Sequence, residues 1–394
     1  MMSGMHNLLL QAYAERYRRH LDENILPFWL EHSLDREQGG FFSCLDREGR
    51  VYDDRKYVWM TGRVVWTMSR LCRVFGEREE WRAFATSCLE FLRKHAYDPQ
   101  GRIYFSLTRD GKPAFQQRKP YSAVFVSLGL IEYGKAFGNE QYLQEGIDLF
   151  WKIRSWVDDP EVLGRPLYGG KPMSQLADIM VIALLALEIA EVSDDPRYGE
   201  QLQWCLRQVW HHFDQDLGVL RENANPDDVA GFRKIPEGRF FCSGSAAEVG
   251  WFLLHVLERL PDAKTQQMLV GAIERSLEAG WDEEFGGLYY FQDLENRPLL
   301  QLEADMKLWW PHTEAIYASI YAYSLTEDAK WLSWLERLDA YTFAKFPDPE
   351  GREWFGYCDR RGNVTSTLKG NNYKGAFHVP RFLLFSWQKI EGLR

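Results

Sequence analysis

Three pairs of aromatic, charged or imidazole side chains recur at a spacing of four residues, each near the predicted start of a helix. The pairs are Trp59 with Arg63, Trp310 with Glu314, and Lys374 with His378. Residues four apart share one face of an α-helix, so the three helices would direct these groups toward a common pocket. Histidine exchanges protons near neutral pH, and arginine binds oxygen that gains negative charge. The pattern therefore favours a site for proton transfer.

Each of these groups also has a purely structural interpretation. Arg63 could form an ion pair with a buried carboxylate such as Glu248 and take no part in catalysis. The two tryptophans, taken singly, are more typical of a hydrophobic core, and His312 is predicted to be a core histidine. His378 is favoured as a functional residue because it stands beside a proline and an arginine in a polar, glycine-rich segment.

Ser245 lies in the segment CSGSAAEVGWF, residues 242–252, where four small residues precede Glu248. Serine needs an activating base to act as a nucleophile, and His255 is too far along the predicted helix to supply one. The segment also differs from the G-x-S-x-G sequence of hydrolases. Ser245 is therefore predicted to cap the helix or to form a hydrogen-bonding wall of the pocket.

Turn sequences recur roughly every sixty residues and divide the chain into units. Each begins with aspartate, which can bond its own backbone, and ends with glycine, which supplies a positive φ. The six turns are DREQGG at Asp35, DPQG at Asp98, DDPEVLG at Asp158, DQDLG at Asp214, DEEFGG at Asp282 and DPEG at Asp348. Alternating aromatic runs follow four of them and predict short β-hairpins. These runs are FFSCLDREG, RIYFSLTRDG, LYYFQDLEN and EWFGYCDRRG.

Between the turns, apolar residues recur at helical spacing in twelve segments. The predicted helices are 6–31, 57–75, 78–95, 119–137, 139–156, 173–192, 196–213, 243–260, 262–280, 308–325, 327–346 and 375–391. Six pairs of helices separated by loops and hairpins predict a closed ring, the (α/α)6 barrel, with the even-numbered helices inside. No Ser-, Gly- or Pro-rich linker interrupts the pattern, so residues 1–394 are predicted to form one all-α domain.

The composition argues against several functional classes. A formal net charge of −10 disfavours nucleic acid as a partner, and no run of 18 apolar residues could span a membrane. The N-terminal sequence lacks the pattern of a signal peptide, and the six cysteines lie far apart, so a cytoplasmic protein with reduced thiols is expected. The adjacent His211 and His212 point apart on a helix. We expect neither a metal nor another cofactor.

Four longer motifs resemble those of the N-acylglucosamine 2-epimerase family and of the related cellobiose 2-epimerases and aldose–ketose isomerases. They are YVWMTGR, GLYYFQD, KLWWPHTE and EWFGY…KG…YKG…FHVPR. The resemblance covers nearly the whole chain. It implies a cytoplasmic (α/α)6-barrel enzyme, a homodimer, that moves a proton at C2 of a reducing sugar. The catalytic residues would then be His378, Glu248, Glu314 and Arg63, and the substrate-binding residues Trp59, Trp310, Lys374, Arg239, Tyr121 and Ser245.

This chemistry explains why such groups are needed. The C2 proton beside a carbonyl is weakly acidic, so its removal requires a placed base and stabilisation of the enediolate that forms. His378 is suited to be that base, Arg63 can bind the charged oxygen, and a carboxylate can orient the imidazole. Epimerisation exchanges protons on both faces of a planar intermediate and therefore commonly uses two bases.

The sequence departs from the family pattern at one of these bases. Where the family has Asn-Pro-Gly-His-x-x-Glu, this chain has CSGSAAE, so Ser245 stands in place of a histidine, and Ala123 stands where related epimerases carry aspartate. His378 alone suffices for aldose–ketose isomerisation, whereas epimerisation needs a second proton from water, Asp178 or another group. Two alternatives are a sugar-binding or regulatory homologue with little turnover, and a glycoside hydrolase or lyase that acts through the two glutamates.

Overall fold

Long helices dominate the chain in the computed structural model, which describes residues 2–164, 167–168 and 171–393. Over these ranges the α-helices are α1 Met2–His20, α2 Leu26–His32, α3 Val58–Phe75, α4 Glu79–His95, α5 Tyr121–Phe137, α6 Glu140–Asp158, α7 Leu176–Ala190, α8 Pro196–His212, α9 Val229–Phe232, α10 Pro236–Arg239, α11 Ser243–Arg259, α12 Ala263–Gly280, α13 Trp309–Thr326, α14 Lys330–Lys345 and α15 His378–Glu391. A π-helical turn, Leu21–Ile25, joins α1 to α2, and a 3₁₀ turn, Pro160–Leu163, follows α6.

The strands are short and lie in the loops between helices. They are β1 Cys44–Leu45, β2 Val51–Asp53, β3 Lys56–Tyr57, β4 Ser106–Leu107, β5 Pro113–Phe115, β6 Leu167–Tyr168, β7 Lys171–Pro172, β8 Ser174–Gln175, β9 Phe213–Asp214, β10 Val219–Leu220, β11 Asn223–Ala224, β12 Phe240–Phe241, β13 Gln292–Asp293, β14 Lys307–Leu308, β15 Tyr357–Cys358 and β16 Val364–Ser366. All pairs are antiparallel, and the largest sheets have three strands, in the orders β3-β4-β5 and β14-β15-β16.

Six helices form the inner ring, and they are the even-numbered helices of the sequence prediction. In order they are α3, α5, α7, α11, α13 and α15, and successive members pack against one another. Most of their residues are buried. Contacts between α3 and the start of α15 close the ring, since Trp66 packs edge-on against Phe377 with ring centroids 5.3 Å apart and the Thr67 hydroxyl donates to the Ala376 carbonyl. The predicted (α/α)6 barrel is confirmed.

The small residues at the start of α11 allow close helix packing. A Cβ on Gly244 would lie 2.5 Å from the Cβ of Pro311 in α13, and a Cβ on Gly280 of α12 would lie 2.4 Å from the Cβ of Ser243. Because such distances are well inside van der Waals contact, larger residues would separate these helices. Part of the space that the small residues leave is therefore filled by neighbouring helices.

Five of the six predicted turns have a buried aspartate whose carboxylate accepts hydrogen bonds from its own turn. These residues are Asp35, Asp98, Asp214, Asp282 and Asp348. The turn predicted at Asp158 is different, because this residue is the last of α6. Glycine takes the predicted positive φ in four of the five turns. After DPEG the positive φ falls instead on Glu353, two residues beyond the glycine, at 62°.

Three of the four predicted hairpins form, and one does not. The runs at β1–β2, β4–β5 and β15–β16 each fold back on themselves. In LYYFQDLEN, however, β13 pairs with β12 from the segment before α11. The residues before β13 instead pair with a distant part of the loop, since the Tyr290 amide donates to the Met306 carbonyl. The alternating sequence therefore predicted extended backbone correctly, but the predicted partner strand was wrong.

Three of the turn aspartates are bound by one lysine and one arginine each. In each set the lysine ammonium is buried, and the arginine is the second residue of a hairpin turn elsewhere in the chain. The three sets, called the rim triads below, are Asp35 with Lys56 and Arg109, Asp282 with Lys307 and Arg360, and Asp348 with Lys369 and Arg47. Their cationic partners hold the pKa of all three aspartates below the usual range, despite their burial.

All six cysteines are free and buried. Over the described residues, no helix combines the length and apolar character that a membrane span requires.

Candidate active site

A cavity of about 650 Å3 opens at the end of the barrel where the inner helices begin. Every inner helix contributes to its wall from its first two turns. The contributing residues include Arg63 of α3, Phe125 of α5, Met180 of α7, Glu248 of α11, Trp310 of α13 and His378 of α15. Helix N-termini carry partial positive charge, so six of them around one cavity favour a ligand or intermediate that bears negative charge.

His378 is the first residue of α15 and is held by Glu314 of α13. Its Nδ1 lies 2.8 Å from Glu314 Oε1. Since a carboxylate accepts hydrogen bonds, this contact assigns the proton of the neutral imidazole to Nδ1 and leaves Nε2 as the basic nitrogen. Glu314 also accepts a hydrogen bond from the Trp251 indole at 3.1 Å, so it is fixed from a second side. Nε2 is thus the nitrogen that a ligand in the cavity can meet.

Arg381 joins the two buried carboxylates of the site. Its guanidinium lies 2.5 Å from Glu248 Oε1 and 2.7 Å from Glu314 Oε1. Burial lowers the pKa of His378 well below its ordinary value, and the nearby Arg381 and Arg63 add to this effect while Glu248 opposes it. The imidazole is therefore neutral at neutral pH, which is the form that can accept a proton.

Arg63 brings a second guanidinium to the cavity. It lies over the rings of Trp59, Phe125 and Phe377, with its central carbon 4.0 to 4.9 Å from their centroids. Its Nε is buried and has no hydrogen-bond partner among the described residues. A buried cation with an unsatisfied donor on a cavity wall is suited to bind an oxygen atom of a ligand.

Seven of the ten predicted site residues line the cavity: Trp59, Arg63, Tyr121, Ser245, Glu248, Trp310 and His378. Glu314 lies behind His378 and reaches the cavity only through it. The helical spacing that paired Trp59 with Arg63 and Trp310 with Glu314 therefore holds in the structure.

Lys374 and Arg239 lie outside the cavity, contrary to expectation. Lys374 is buried in an ion pair with Glu353, its ammonium 2.8 Å from Oε1. Its spacing from His378 is not helical because α15 begins only at His378. Arg239 is bound instead to the buried Asp293 at 3.0 Å. Both lysine and arginine serve as internal counterions here.

Ser245 is the third residue of α11 and does not cap the helix, because Cys242 holds the N-cap position. Its side chain instead lies on the cavity wall, close enough to Glu222 to favour the charged form of that carboxyl. Its predicted place in the wall of the pocket agrees with the structure, and a hydrogen-bonding role stays a prediction. His312 is a core histidine, as predicted, with Nδ1 2.6 Å from the Leu308 carbonyl oxygen and Nε2 accepting from the Leu288 amide.

Sequence reasoning missed Glu222, Arg381 and Tyr290 as residues of the site. Arg381 follows His378 by three residues within the quoted motif FHVPR, so helical spacing could have identified it. Glu222 lies in the loop between β10 and β11, where no helical period indicates which way a side chain points. Only the polar sequence RENAN after the turn at Asp214 marks this loop.

The three groups Glu248, Glu314 and His378 place potential metal-ligating atoms within 4.8 Å of one another. Arg381 already lies between the two carboxylates, at hydrogen-bonding distance from both. A divalent cation at this position would have to displace a buried guanidinium. The residues therefore fit an internal cation better than a metal, and the absence of a cofactor stays a prediction.

An imidazole base, two carboxylates and two guanidinium groups at the mouth of an (α/α)6 barrel define an acid–base enzyme site. Comparison with known proteins gives its family. Residues 40–379 match the family model described as N-acylglucosamine 2-epimerase (GlcNAc 2-epimerase). The chain belongs to this family, and its activity class is that of an isomerase acting on carbohydrate.

Two relatives show the extent of the similarity. The N-acylglucosamine 2-epimerase of Bos taurus is 39% identical over 395 residues, which cover 98% of this chain and 92% of the relative. The cellobiose 2-epimerase of Bacteroides fragilis is 31% identical over 398 residues, covering 95% and 98%. Among solved structures, the cellobiose 2-epimerase from Bacillus thermoamylovorans superimposes with a TM-score of 0.79 at 20% identity, covering 96% of this chain and 99% of that one. At that identity the likeness shows the fold alone.

Proposed function

We propose that this protein moves a proton at C2 of a reducing sugar, as a 2-epimerase or aldose–ketose isomerase, with His378 as general acid and base. The observation that supports this most directly is the hydrogen bond between His378 Nδ1 and Glu314, 2.8 Å long. It leaves a basic Nε2 on a cavity lined by a free guanidinium donor. Proton removal next to a carbonyl requires these two kinds of group.

The reaction begins with the open-chain sugar, whose C1 is a carbonyl. His378 Nε2 takes the proton from C2, the electron pair of the C–H bond forms the C1–C2 double bond, and the carbonyl oxygen becomes negatively charged. Arg63 and the helix N-termini stabilise that oxygen. Glu314 stabilises the imidazolium that forms. Return of a proton to C2 on the other face gives the epimer. Its return to C1 gives the ketose, provided that the proton of the C2 hydroxyl is transferred to the oxygen on C1.

The shape of the cavity and the relatives indicate the substrate class. A volume of about 650 Å3 is within the range of sites for small molecules. Trp59, Trp310 and Tyr290 give it aromatic walls on which the C–H faces of a sugar ring can stack. The relatives at 39% identity are N-acylglucosamine 2-epimerases, and the cellobiose 2-epimerase is at 31%. N-acylated hexosamines are therefore the first substrates to test.

Solvent-proton exchange tests the proposal. The protein is incubated in deuterated water with N-acetylglucosamine, N-acetylmannosamine, glucose, mannose or cellobiose, and the C2–H signal is followed by NMR. We expect deuterium at C2 of at least one sugar, and we expect exchange of the epimer whose C2 proton faces His378 to fall by about 10²-fold or more in His378→Asn. The products distinguish epimer from ketose. Undiminished exchange of every sugar in His378→Asn would contradict the role given to this residue.

A second candidate, a sugar-binding homologue with little turnover, is favoured by one observation: a serine stands at the position where the family pattern has a histidine. The same experiment separates the two. Sugar binding measured by calorimetry without any C2 exchange, for every sugar named above, would select the binding protein.

A further inference from the structure

Glu222 lines the cavity, and both its backbone amide and its backbone carbonyl form hydrogen bonds. Its amide donates to the Phe240 carbonyl at 3.1 Å, and its carbonyl accepts from the Leu176 amide at 2.8 Å. Leu176 is the first residue of α7, and Phe240 lies just before α11. Glu222 is therefore held at the rim of the barrel between these two inner helices.

The Glu222 carboxyl has few partners for a side chain that is only partly exposed. One oxygen, Oε1, is buried and has no hydrogen-bond partner among the described residues. The Ser245 hydroxyl and the charge of Lys119 are close enough to act on the carboxyl. Because the side chain lines the cavity and is partly exposed, a ligand can form a hydrogen bond with it.

The carboxyl can also carry a proton at neutral pH. Burial raises the pKa of Glu222 to about 7, and the negative charge of Glu248 adds to this, whereas Ser245 and Lys119 act in the opposite direction. A group with this pKa is present in both protonation states under ordinary conditions, which suits it to give and to accept protons.

The order of the inner ring places Glu222 across the cavity from His378. The sequence of neighbours is α7, α11, α13 and α15, so α15 is opposite α7 in a ring of six. His378 begins α15, and Glu222 lies between α7 and α11. A sugar bound between them would present opposite faces of C2 to the two groups.

The other acidic residues do not meet these conditions. Asp178, the residue considered from the sequence, does not line the cavity. Glu248 lines it but is engaged by Arg381. Glu303 is exposed on the loop before α13. Among the described acidic residues of the cavity wall, Glu222 is thus the one that is partly buried and is not bound by an arginine.

We propose that Glu222 is the second acid–base group of the site and exchanges the proton on the face of C2 opposite His378. This inference rests on the proposed function. In one direction His378 Nε2 removes the C2 proton, and the protonated Glu222 gives its own proton to the other face, which leaves a carboxylate and an imidazolium. Transfer of one proton from the imidazolium to water, and of one from water to Glu222, restores both groups. The reverse reaction exchanges their roles.

Separate measurement of exchange for each epimer tests this assignment. With two bases, Glu222→Gln should slow interconversion of the epimers by about 10²-fold or more. The epimer whose C2 proton faces His378 should still exchange it with deuterated water within about threefold of the wild-type rate. His378→Asn should show the complementary pattern, with exchange retained for the other epimer. Glu237→Gln, an exposed residue of α10 outside the cavity, is the matched control and should behave as wild type.

The results separate failure of this inference from failure of the proposed function. Interconversion by Glu222→Gln at the wild-type rate, or equal loss of exchange for both epimers with an unchanged circular dichroism spectrum, would overturn the role of Glu222 alone. Absence of exchange in the wild type would overturn the proposed function and this inference together.

A second variant applies if Glu222→Gln does not fold. Ser245→Ala keeps the carboxyl but removes a nearby hydroxyl that favours its charged form, so the pKa of Glu222 should rise. In the direction in which Glu222 donates, activity is lost as pH rises through that pKa. The alkaline limb of kcat/KM should therefore move to higher pH in Ser245→Ala. An unmoved limb would count against the assignment.

Discussion

At the scale of single residues, the geometry of the site depends on side chains that orient other side chains through hydrogen bonds and ion pairs. Glu314 does not line the cavity, yet it sets which nitrogen of His378 is basic and is itself fixed by Trp251. Arg381 supplies positive charge to both carboxylates from one turn further along α15. A base whose tautomer and orientation are fixed in advance needs no rearrangement when it accepts a proton.

Glu314→Gln should lower kcat by about 10²-fold with little change in KM. The amide oxygen of glutamine can still accept the Nδ1 proton, so the tautomer is retained, but the negative charge that stabilises the imidazolium is lost. Steady-state kinetics with the sugar identified by exchange gives both constants. Glu258→Gln changes an exposed carboxylate outside this cavity and is the control. A variant with unchanged kcat would show that His378 works without this partner.

At the scale of elements, helical periodicity predicted most of the architecture. The inner helices predicted at 57–75 and 243–260 begin and end within one residue of α3 and α11. A buried helix has apolar residues at a spacing that few other structures require, so its sequence identifies it. The last helix was predicted from 375 and begins at His378. Helical spacing therefore does not apply between Lys374 and His378, and Lys374 is instead paired with Glu353 outside the cavity.

Contacts between distant segments could not be predicted in the same way. The hairpin expected from LYYFQDLEN was wrong because alternation indicates an extended strand but not its partner. Glu222 was missed for a related reason, since the direction of a loop side chain is set by the backbone bonds to Phe240 and Leu176. Local sequence patterns thus predicted the helices and strands, whereas tertiary contacts determine which strands pair and which loop side chains face the cavity.

Each rim triad joins two loops that are distant in the chain. Asp282→Asn would leave the buried Lys307 ammonium without its counterion. Because an unpaired buried charge is costly, we expect the free energy of unfolding to fall by about 3–5 kcal/mol, measured by urea unfolding. Asp110→Asn removes an exposed aspartate of a hairpin turn, paired with Lys112, and should have no measurable effect. Equal effects of the two substitutions would mean that burial of the pair is unimportant.

At the scale of the whole molecule, the rim triads make the free energy of unfolding depend on pH in the acid range. The pKa values of Asp35, Asp282 and Asp348 are lowered in the folded protein, so their contribution is present above the unfolded value of about 4 and is lost as pH falls through the folded values. Three protons taken up on unfolding correspond to a slope of up to about 4 kcal/mol per pH unit below pH 4.

Urea unfolding at a series of pH values from 3 to 7 measures this slope. Asp282→Asn should reduce it by up to about 1.4 kcal/mol per pH unit, because one aspartate no longer titrates. The part of the slope that comes from the buried ion pairs should change little in 0.5 M NaCl. The part that comes from repulsion between surface charges should decrease, because salt screens those charges. A slope that disappears in salt would assign acid unfolding to the surface instead.

The triads also connect the units of the ring in a fixed order. Arg109 and Arg360 each bind the aspartate of the preceding turn, but Arg47, in the first hairpin, binds Asp348 in the last turn. Three of the six turns carry this relation, and one of the three joins the last unit to the first. An open array of repeats has two outermost members that can fray, whereas every unit here is flanked on both sides. Local unfolding of any one unit must disturb two neighbours at once, so no end unit is available as a starting point for unfolding.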